Sequence, residues 1–385
     1  MRPGERHGDF DLSDLSGFDT IIDVRSPAEF AEDALPGSVN HPVLDDAQRH
    51  EIGTLYKQVS PFAARRLGAA WVAQNIARHI ETAFADRPRE WRPLVLCWRG
   101  GNRSGAMTHV LRAVGWDAFQ LPGGYKRWRA HVMARLEALA PQPHYRIVCG
   151  PTGSGKSHLL QALARAGAQV LDLEALAAHR GSVLGGLPDQ AQPGQRRFES
   201  LIMQALARFD MRKPVFVEAE SRRIGSVHIP EALMVALRAS PCLRIEAGEA
   251  ARVALLLEDY RHFFSDLPLL AALLGRLKEL HGQARIEHWM ALAQEGAFPA
   301  LVENLLRTHY DPLYFRSSRN NYVGLATARA FDGGALLSAD FDRLAQAILV
   351  EAEQELASTL SAHGSDVPPV AVHLPHAADM ERHDC

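Results

Sequence analysis

Two short stretches combine residue types and spacing that can do chemistry. In "GPTGSGKS" (150–157) the pattern G-x-x-x-x-G-K-[ST] follows an apolar run and opens an amphipathic one. Gly150, Gly153 and Gly155 let the backbone close around an anion. The following helix aims free N–H groups and the positive end of its dipole at that anion, and Lys156 adds a point charge. Ser157 is the residue that would hold a magnesium ion bridging two phosphates. Phosphate binding is expected; which phosphate ligand is left open by the pattern.

The second stretch is "VLCWRGGNRS" (95–104), where an apolar run ends in Cys97 and passes straight into a polar turn. A lone cysteine at a strand end is usually a small buried hydrophobe. Here Gly100 and Gly101 allow a tight loop with N–H groups converging on the sulfur, a helix from Ser104 adds its dipole, and Arg99 and Arg103 favour an anion. All three effects favour a thiolate at neutral pH. The same cradle would accept a transferred sulfur or selenium atom carrying negative charge. Cysteine phosphatases share the spacing of Cys97 to Arg103, but Leu96 stands where that class commonly has histidine.

Carboxylates close two further apolar runs: Asp172 in "AQVLDLE" (168–174), and Glu218 and Glu220 in "KPVFVEAE" (213–220). Ligands of open parallel sheets bind beyond the carboxyl ends of the strands, so these side chains are expected to face the glycine loop, where one could bind magnesium or act as an acid or base. A salt bridge to Arg222 or Arg223 accounts for them equally well.

The elements that must position these residues alternate. Strands are expected at 19–26, 38–43 and 93–98, helices at 61–84 and 104–116, a return to strand at "DAFQL", and a closing helix before the breaker "PQP" at 141–143. This makes residues 1–140 a small α/β domain. A parallel-sheet P-loop domain begins at 141 and runs to 361, mostly helical beyond Pro230 with one strand at "CLRIE" (242–246). The Gly/Pro-rich stretch 179–195 is too long for a simple connection and is read as functional or mobile. Proline and polar residues dominate 362–385, which reads as a disordered tail.

Composition narrows the classes. The 385 residues are 47% hydrophobic and 23% charged, with a net charge of −3, so a nucleic-acid surface must come from local clusters such as Arg65-Arg66 or Lys126-Arg127. Cys97, Cys149, Cys242 and Cys385 lack metal-ligand or disulfide-framework spacing. With a polar start and no apolar run of about 18 residues, the chain is expected in the cytoplasm and away from membranes.

"DVRSPAEF" (23–30), "LPGSVNHPV" (35–43), the "CWRGGNRS" loop and "LPGGYKRWR" (121–129) together resemble a rhodanese domain. With "LDLEALAAHRGSVLG" (171–185), "VEAESRRIG" (217–225), "ARVALLLEDY" (251–260) and "HYDPLY" (309–314), the chain to about Ser361 resembles the bacterial tRNA 2-selenouridine synthases. Asn102 and His41 depart from the pattern expected of that family. The resemblance implies replacement of sulfur by selenium in wobble 2-thiouridine of tRNA. Selenophosphate is the implied donor, and geranyl diphosphate supplies an S-geranyl intermediate. Cys97, with Arg99 and Arg103, would receive selenium; the P-loop would hold the diphosphate, with Mg2+ as a candidate companion and no tightly bound cofactor. The implied partners are tRNA and a selenophosphate-delivering enzyme. Two other readings stay open: a P-loop kinase or NTPase with a regulatory rhodanese module, and a pure binding role with an inert Cys97.

Overall fold

Runs of consecutive apolar residues form strands buried on both faces, as parallel sheets covered by helices require. In the first unit β1 (Thr20–Asp23), β2 (Ser38–Asn40), β3 (Pro93–Leu96) and β4 (Phe119–Gln120) stand in the order β2-β1-β3-β4, each pair parallel. All of β3 is buried, and its end delivers Cys97. The helices are α1 (Pro27–Glu32), α2 (Asp46–Gln58), α3 (Pro61–Glu81), α4 (Asn102–Val114) and α5 (Gly124–Leu139). α4 stops at Gly115, which takes φ 114° and bonds back to the carbonyls of Arg112 and Leu111. This computed structural model describes residues 12, 15–182, 185–186 and 190–362. The expected tail lies outside the described residues except for Ala362, which ends the last helix.

The second unit begins with β5 (His144–Cys149), α6 (Lys156–Arg165), β6 (Gln169–Leu171), α7 (Leu173–Ala177), α8 (Gln195–Leu206) and β7 (Pro214–Glu218). A hairpin of β8 (Arg223–Ile224) and β9 (Val227–His228) leads to α9 (Glu231–Ala239) and β10 (Cys242–Glu246). The helical part holds α10 (Glu249–Asp259), α11 (Arg261–Phe264), α12 (Leu267–Gly275), α13 (Lys278–His281), α14 (Gln283–Gln294) and α15 (Phe298–Leu305). A π-helical turn, Leu306–Tyr310, then runs into α16 (Asp311–Asn321), and the chain closes with β11 (Arg329–Asp332) and α17 (Ser338–Ala362). The parallel sheet has the order β11-β10-β5-β7-β6. The chain leaves β5 toward β6 and β7 on one side and toward β10 on the other, so a crevice opens over the end of β5, where the glycine loop starts.

Three expectations need correcting. β11 is a second strand beyond Pro230: "RAFD" is too short and too exposed to show a period, and pairing with β10 makes it a strand. The run "AQVLDLE" stops being a strand at Leu171, because the Asp172 side chain accepts a hydrogen bond from Ala175 N and caps α7. "KPVFVEAE" likewise ends as a strand at Glu218.

One hydrophobic cluster joins the two units, with Leu94, Tyr125 and Trp128 of the first packed against Ile147, Phe198 and Val215 of the second. A polar contact is buried beside it. The Tyr125 and Ser200 hydroxyls donate to one Asp33 carboxylate oxygen at 3.0 and 2.9 Å, and Arg25 donates to the Asp33 carbonyl at 2.7 Å. Burial pushes the Asp33 carboxyl above its usual range even so. Because both donors serve a buried carboxylate, Ser200→Ala should cost about 1–3 kcal/mol. Urea unfolding followed by Trp fluorescence should show a lowered midpoint with a single transition; an unchanged midpoint would mean that the contact adds nothing.

Candidate functional site

Cys97 is buried at the end of β3, and its Sγ accepts a hydrogen bond from the Ser104 hydroxyl at 3.1 Å. The first turn of α4, capped by Gly101, has no side-chain cap bond, which leaves its N–H groups available to an anion. "LPGGYKRWR" holds the loop from the other side: Tyr125 N donates to the Cys97 carbonyl at 2.8 Å and Lys126 N to that of Trp98 at 2.9 Å. So close an approach needs glycine. Gly100 (φ 65°) and Gly124 (φ 54°) lie against each other, and a Cβ on Gly124 would strike the Cys97 carbonyl.

The two arginines of this loop do different things. Arg103 forms a two-pronged pair with Glu29 at 2.6 and 3.3 Å, and despite burial this holds the Glu29 carboxyl below its usual value. Glu29 also accepts from Ser26 N in the capping box of α1, so Arg103 ties the "DVRSPAEF" segment to the cysteine loop instead of reaching out for an anion. Arg99 is exposed, as is Lys126.

In the second unit Gly153 and Gly155 both take φ 79°. A Cβ on Gly153 would meet Leu256, one on Gly155 would enter the Phe341 ring, and one on Gly150 would strike the Ser154 hydroxyl. α6 starts at Lys156 with no side-chain cap, so its first N–H groups are also left for a ligand. The Lys156 ammonium lies 3.4 Å from Glu218. The Ser157 hydroxyl stands 2.9 Å from Glu218 and 3.2 Å from Glu174. Glu174, Glu218 and Glu220 bring carboxylate oxygens within 4.8 Å of one another. Burial and mutual repulsion raise Glu174 to about 10 and Glu220 to about 8. Burial alone would lower the Lys156 ammonium; the three facing carboxylates outweigh it and hold Lys156 above its ordinary value.

Lys156, Ser157, Glu218 and Glu220 therefore share the crevice, while Asp172 caps α7 and its charge helps raise Glu174 from beside the cluster. Arg222 pairs with Glu231 and Arg223 donates to the Gly225 carbonyl, so neither makes the salt bridge to Glu218 or Glu220 that the sequence allowed. Glu174 was missed: once α7 begins at Leu173, the carboxylate one residue further on faces the loop. Arg252 was missed as well. Its guanidinium donates to the Thr152 carbonyl at 2.9 and 2.7 Å and to Asp311 at 2.6 and 3.1 Å, fixing the P-loop from behind. The motifs "ARVALLLEDY" and "HYDPLY" meet at this clamp. The "HRGS" turn lies over the carboxylates, since a Cβ on Gly181 would sit about 3 Å from Glu174 and Glu220. The rest of the Gly/Pro-rich stretch falls partly at 183–184 and 187–189, outside the described residues.

Residues 11–131 match the rhodanese-like domain, and residues 143–267 match the AAA domain of tRNA 2-selenouridine synthase. A tRNA 2-selenouridine synthase of Cupriavidus necator is 35% identical over 349 residues, which cover 82% of this chain and 91% of that one. The chain belongs to the tRNA 2-selenouridine synthase family. The synthase of Bdellovibrio bacteriovorus is 30% identical, covering 79% and 90% of the two chains, and that of Nitrosomonas europaea 36%, covering 66% and 68%. The fold class expected from the family, a rhodanese-like α/β domain followed by a P-loop parallel-sheet domain with a helical C-terminal part, is the one observed. Among the described residues no helix is long and apolar enough to cross a membrane.

The crowded carboxylates of this family member make a pH prediction. A carboxyl whose folded pKa is raised contributes stability below its unfolded pKa, and that contribution is lost as pH rises through the folded value. In metal-free buffer, stability should therefore fall between the usual carboxylate range and about pH 8 to 10, the values of Glu220 and Glu174. Glu174→Gln should flatten this slope in thermal unfolding measured across pH. Parallel profiles for the two proteins would show that the cluster is not strained.

Proposed function

We propose that this chain exchanges the sulfur of 2-thiouridine at the wobble position of tRNA for selenium. It takes selenium from selenophosphate and passes through S-geranyl-2-thiouridine made from geranyl diphosphate. The observation that carries this reading is the presence, in one member of this family, of two anion loops of opposite chemical character. One holds the soft sulfur of Cys97; the other holds Lys156 among hard carboxylate oxygens.

In the first step the tRNA sulfur attacks the terminal carbon of the geranyl group. The carbon–oxygen bond breaks, and diphosphate departs with the electron pair. Lys156 and the uncapped N–H groups of α6 bind the diphosphate and receive the charge that develops on it. The donor set also fits magnesium, since Ser157, Glu174, Glu218 and Glu220 supply only oxygen ligands. When bound, the ion would neutralise the diphosphate beside these carboxylates. In the second step the selenium of selenophosphate adds to the ring carbon, and geranyl thiolate leaves with the electrons of the carbon–sulfur bond. Water then attacks phosphorus, the phosphorus–selenium bond breaks, phosphate departs and the selenium stays on the ring. Alkylation is what makes the sulfur a competent leaving group. Cys97 receives the selenium donor, with Arg99 and Lys126 attracting it from the exposed side.

Two substitutions separate the loops. Cys97→Ser keeps size but removes the ionisable sulfur, so 2-selenouridine formation should be lost while S-geranyl tRNA accumulates. Lys156→Ala removes the charge on the diphosphate, so geranyl transfer should fall by orders of magnitude. Nucleoside mass spectrometry of thiolated tRNA incubated with both donors reads each outcome. Selenouridine made at the original rate by the Cys97 variant would sink its role, and brisk ATP turnover without tRNA would favour an NTPase instead.

A further inference from the structure

A slot with apolar walls lies against the P-loop. Its lining includes Thr152 of the loop itself together with Leu256 of α10, the side chain that packs on Gly153. Leu256, Val302 and Leu306 belong to a small cluster that meets the P-loop at Gly153 and Thr152. Leu270, Leu301 and Leu305 belong to the cluster inside the helical part, so the slot leads from the anion loop into that core. The polar side-chain atoms on its walls are those of Thr152, Tyr260 and Tyr310. A purine or a ribose would find almost no hydrogen-bond partner there.

The π-helical turn Leu306–Tyr310 builds one wall of this slot. Such a turn carries an extra residue, which moves the side chains after it out of the register of α15. Tyr310 then lines the slot, and Asp311 reaches Arg252, whose other bonds hold the Thr152 carbonyl. One irregular turn thus ties the slot wall to the anion loop. The slot is narrow, about 40 Å³ in this conformation, so an occupant must be slender and must push the walls apart.

We propose that this slot takes the hydrocarbon tail of the diphosphate ester whose head sits on the P-loop, and that Leu270 and Leu301 form the inner wall limiting tail length. The proposal rests on the reading above that the head is a prenyl diphosphate. An apolar tail continuing from a diphosphate matches an apolar slot continuing from a P-loop. Each methylene that gains burial adds roughly fourfold in affinity.

The full chain without tRNA, so that no transfer occurs, is titrated with inorganic diphosphate, geranyl diphosphate, farnesyl diphosphate and ATP. Geranyl diphosphate should bind at least tenfold more tightly than inorganic diphosphate. Leu301→Trp, which fills the slot, should abolish that advantage and leave inorganic diphosphate affinity unchanged, which also reports an intact fold. Leu270→Ala, a gentler change, should shift preference toward farnesyl diphosphate by about tenfold relative to geranyl. If inorganic and geranyl diphosphate bind equally well, and both are lost in Lys156→Ala, the slot assignment fails while the diphosphate reading stands. If neither binds, or ATP outcompetes geranyl diphosphate, that reading fails and the slot assignment falls with it. Unchanged chain-length preference in a Leu270→Ala variant that still binds diphosphate would also overturn the inner-wall assignment.

Discussion

Three carboxylates, an ammonium and a serine hydroxyl occupy a space in which they cannot all be ionised without compensation. Lys156 balances at most one of the charges. The remainder is met by protons held at raised pKa values, as at Glu174 and Glu220, or by a cation. Any anion at the same helix end would add more negative charge, so these carboxylates favour a cation beside it. The surrounding structure serves this constraint. Glycines bring the loop close, the Arg252 clamp stops it from relaxing backward, and Gly181 lets the "HRGS" turn lie on the carboxylates without a side chain in the way.

The cysteine loop solves an easier problem with related means. It also ends a buried strand and opens an uncapped helix, but the hydrogen bond its sulfur accepts comes from a neutral serine. Its nearby arginine is spent internally on Glu29. Arg99 and Lys126, by contrast, stay exposed. Because one hydrophobic cluster runs through both units, swinging them apart would expose side chains such as Tyr125 and Phe198. A hinge motion between the units is therefore disfavoured.

What could be read from the chain alone depended on how local the physics was. "GPTGSGKS" and the Gly115 stop were legible because each requires a backbone shape within a few residues. The end of β3 at a polar turn was legible for the same reason. Partners distant in sequence were not. Arg103 meets Glu29 from 74 positions earlier and Arg252 meets Asp311 from 59 positions later, and nothing near either arginine announces the pairing. The exchange of Asp172 for Glu174 had a readable cue: an aspartate three residues before a helical N–H is a cap, and a capped helix turns the next acidic residue in a new direction. β11 carried no cue, since its strand character comes from β10.

The start of α6 shows how binding at the loop can reach the turn above it. Lys156, Ser157 and His158 are consecutive, yet they serve three functions. Lys156 faces Glu218, Ser157 touches Glu174 and Glu218, and His158 meets Asp259 at 3.0 Å while stacking on Phe341. The Asp259 bond raises the His158 pKa against the effect of burial. The Asp259 backbone carbonyl in turn accepts from Arg180 of the "HRGS" turn at 3.2 Å, and Arg180 also lies over the Tyr260 ring. An anion that draws Lys156 away from Glu218 acts on the same helical turn that carries His158. Through Asp259 that pull is passed to Arg180, and so to the segment covering the carboxylates. Loop, helix end and covering turn therefore form one connected set of charges.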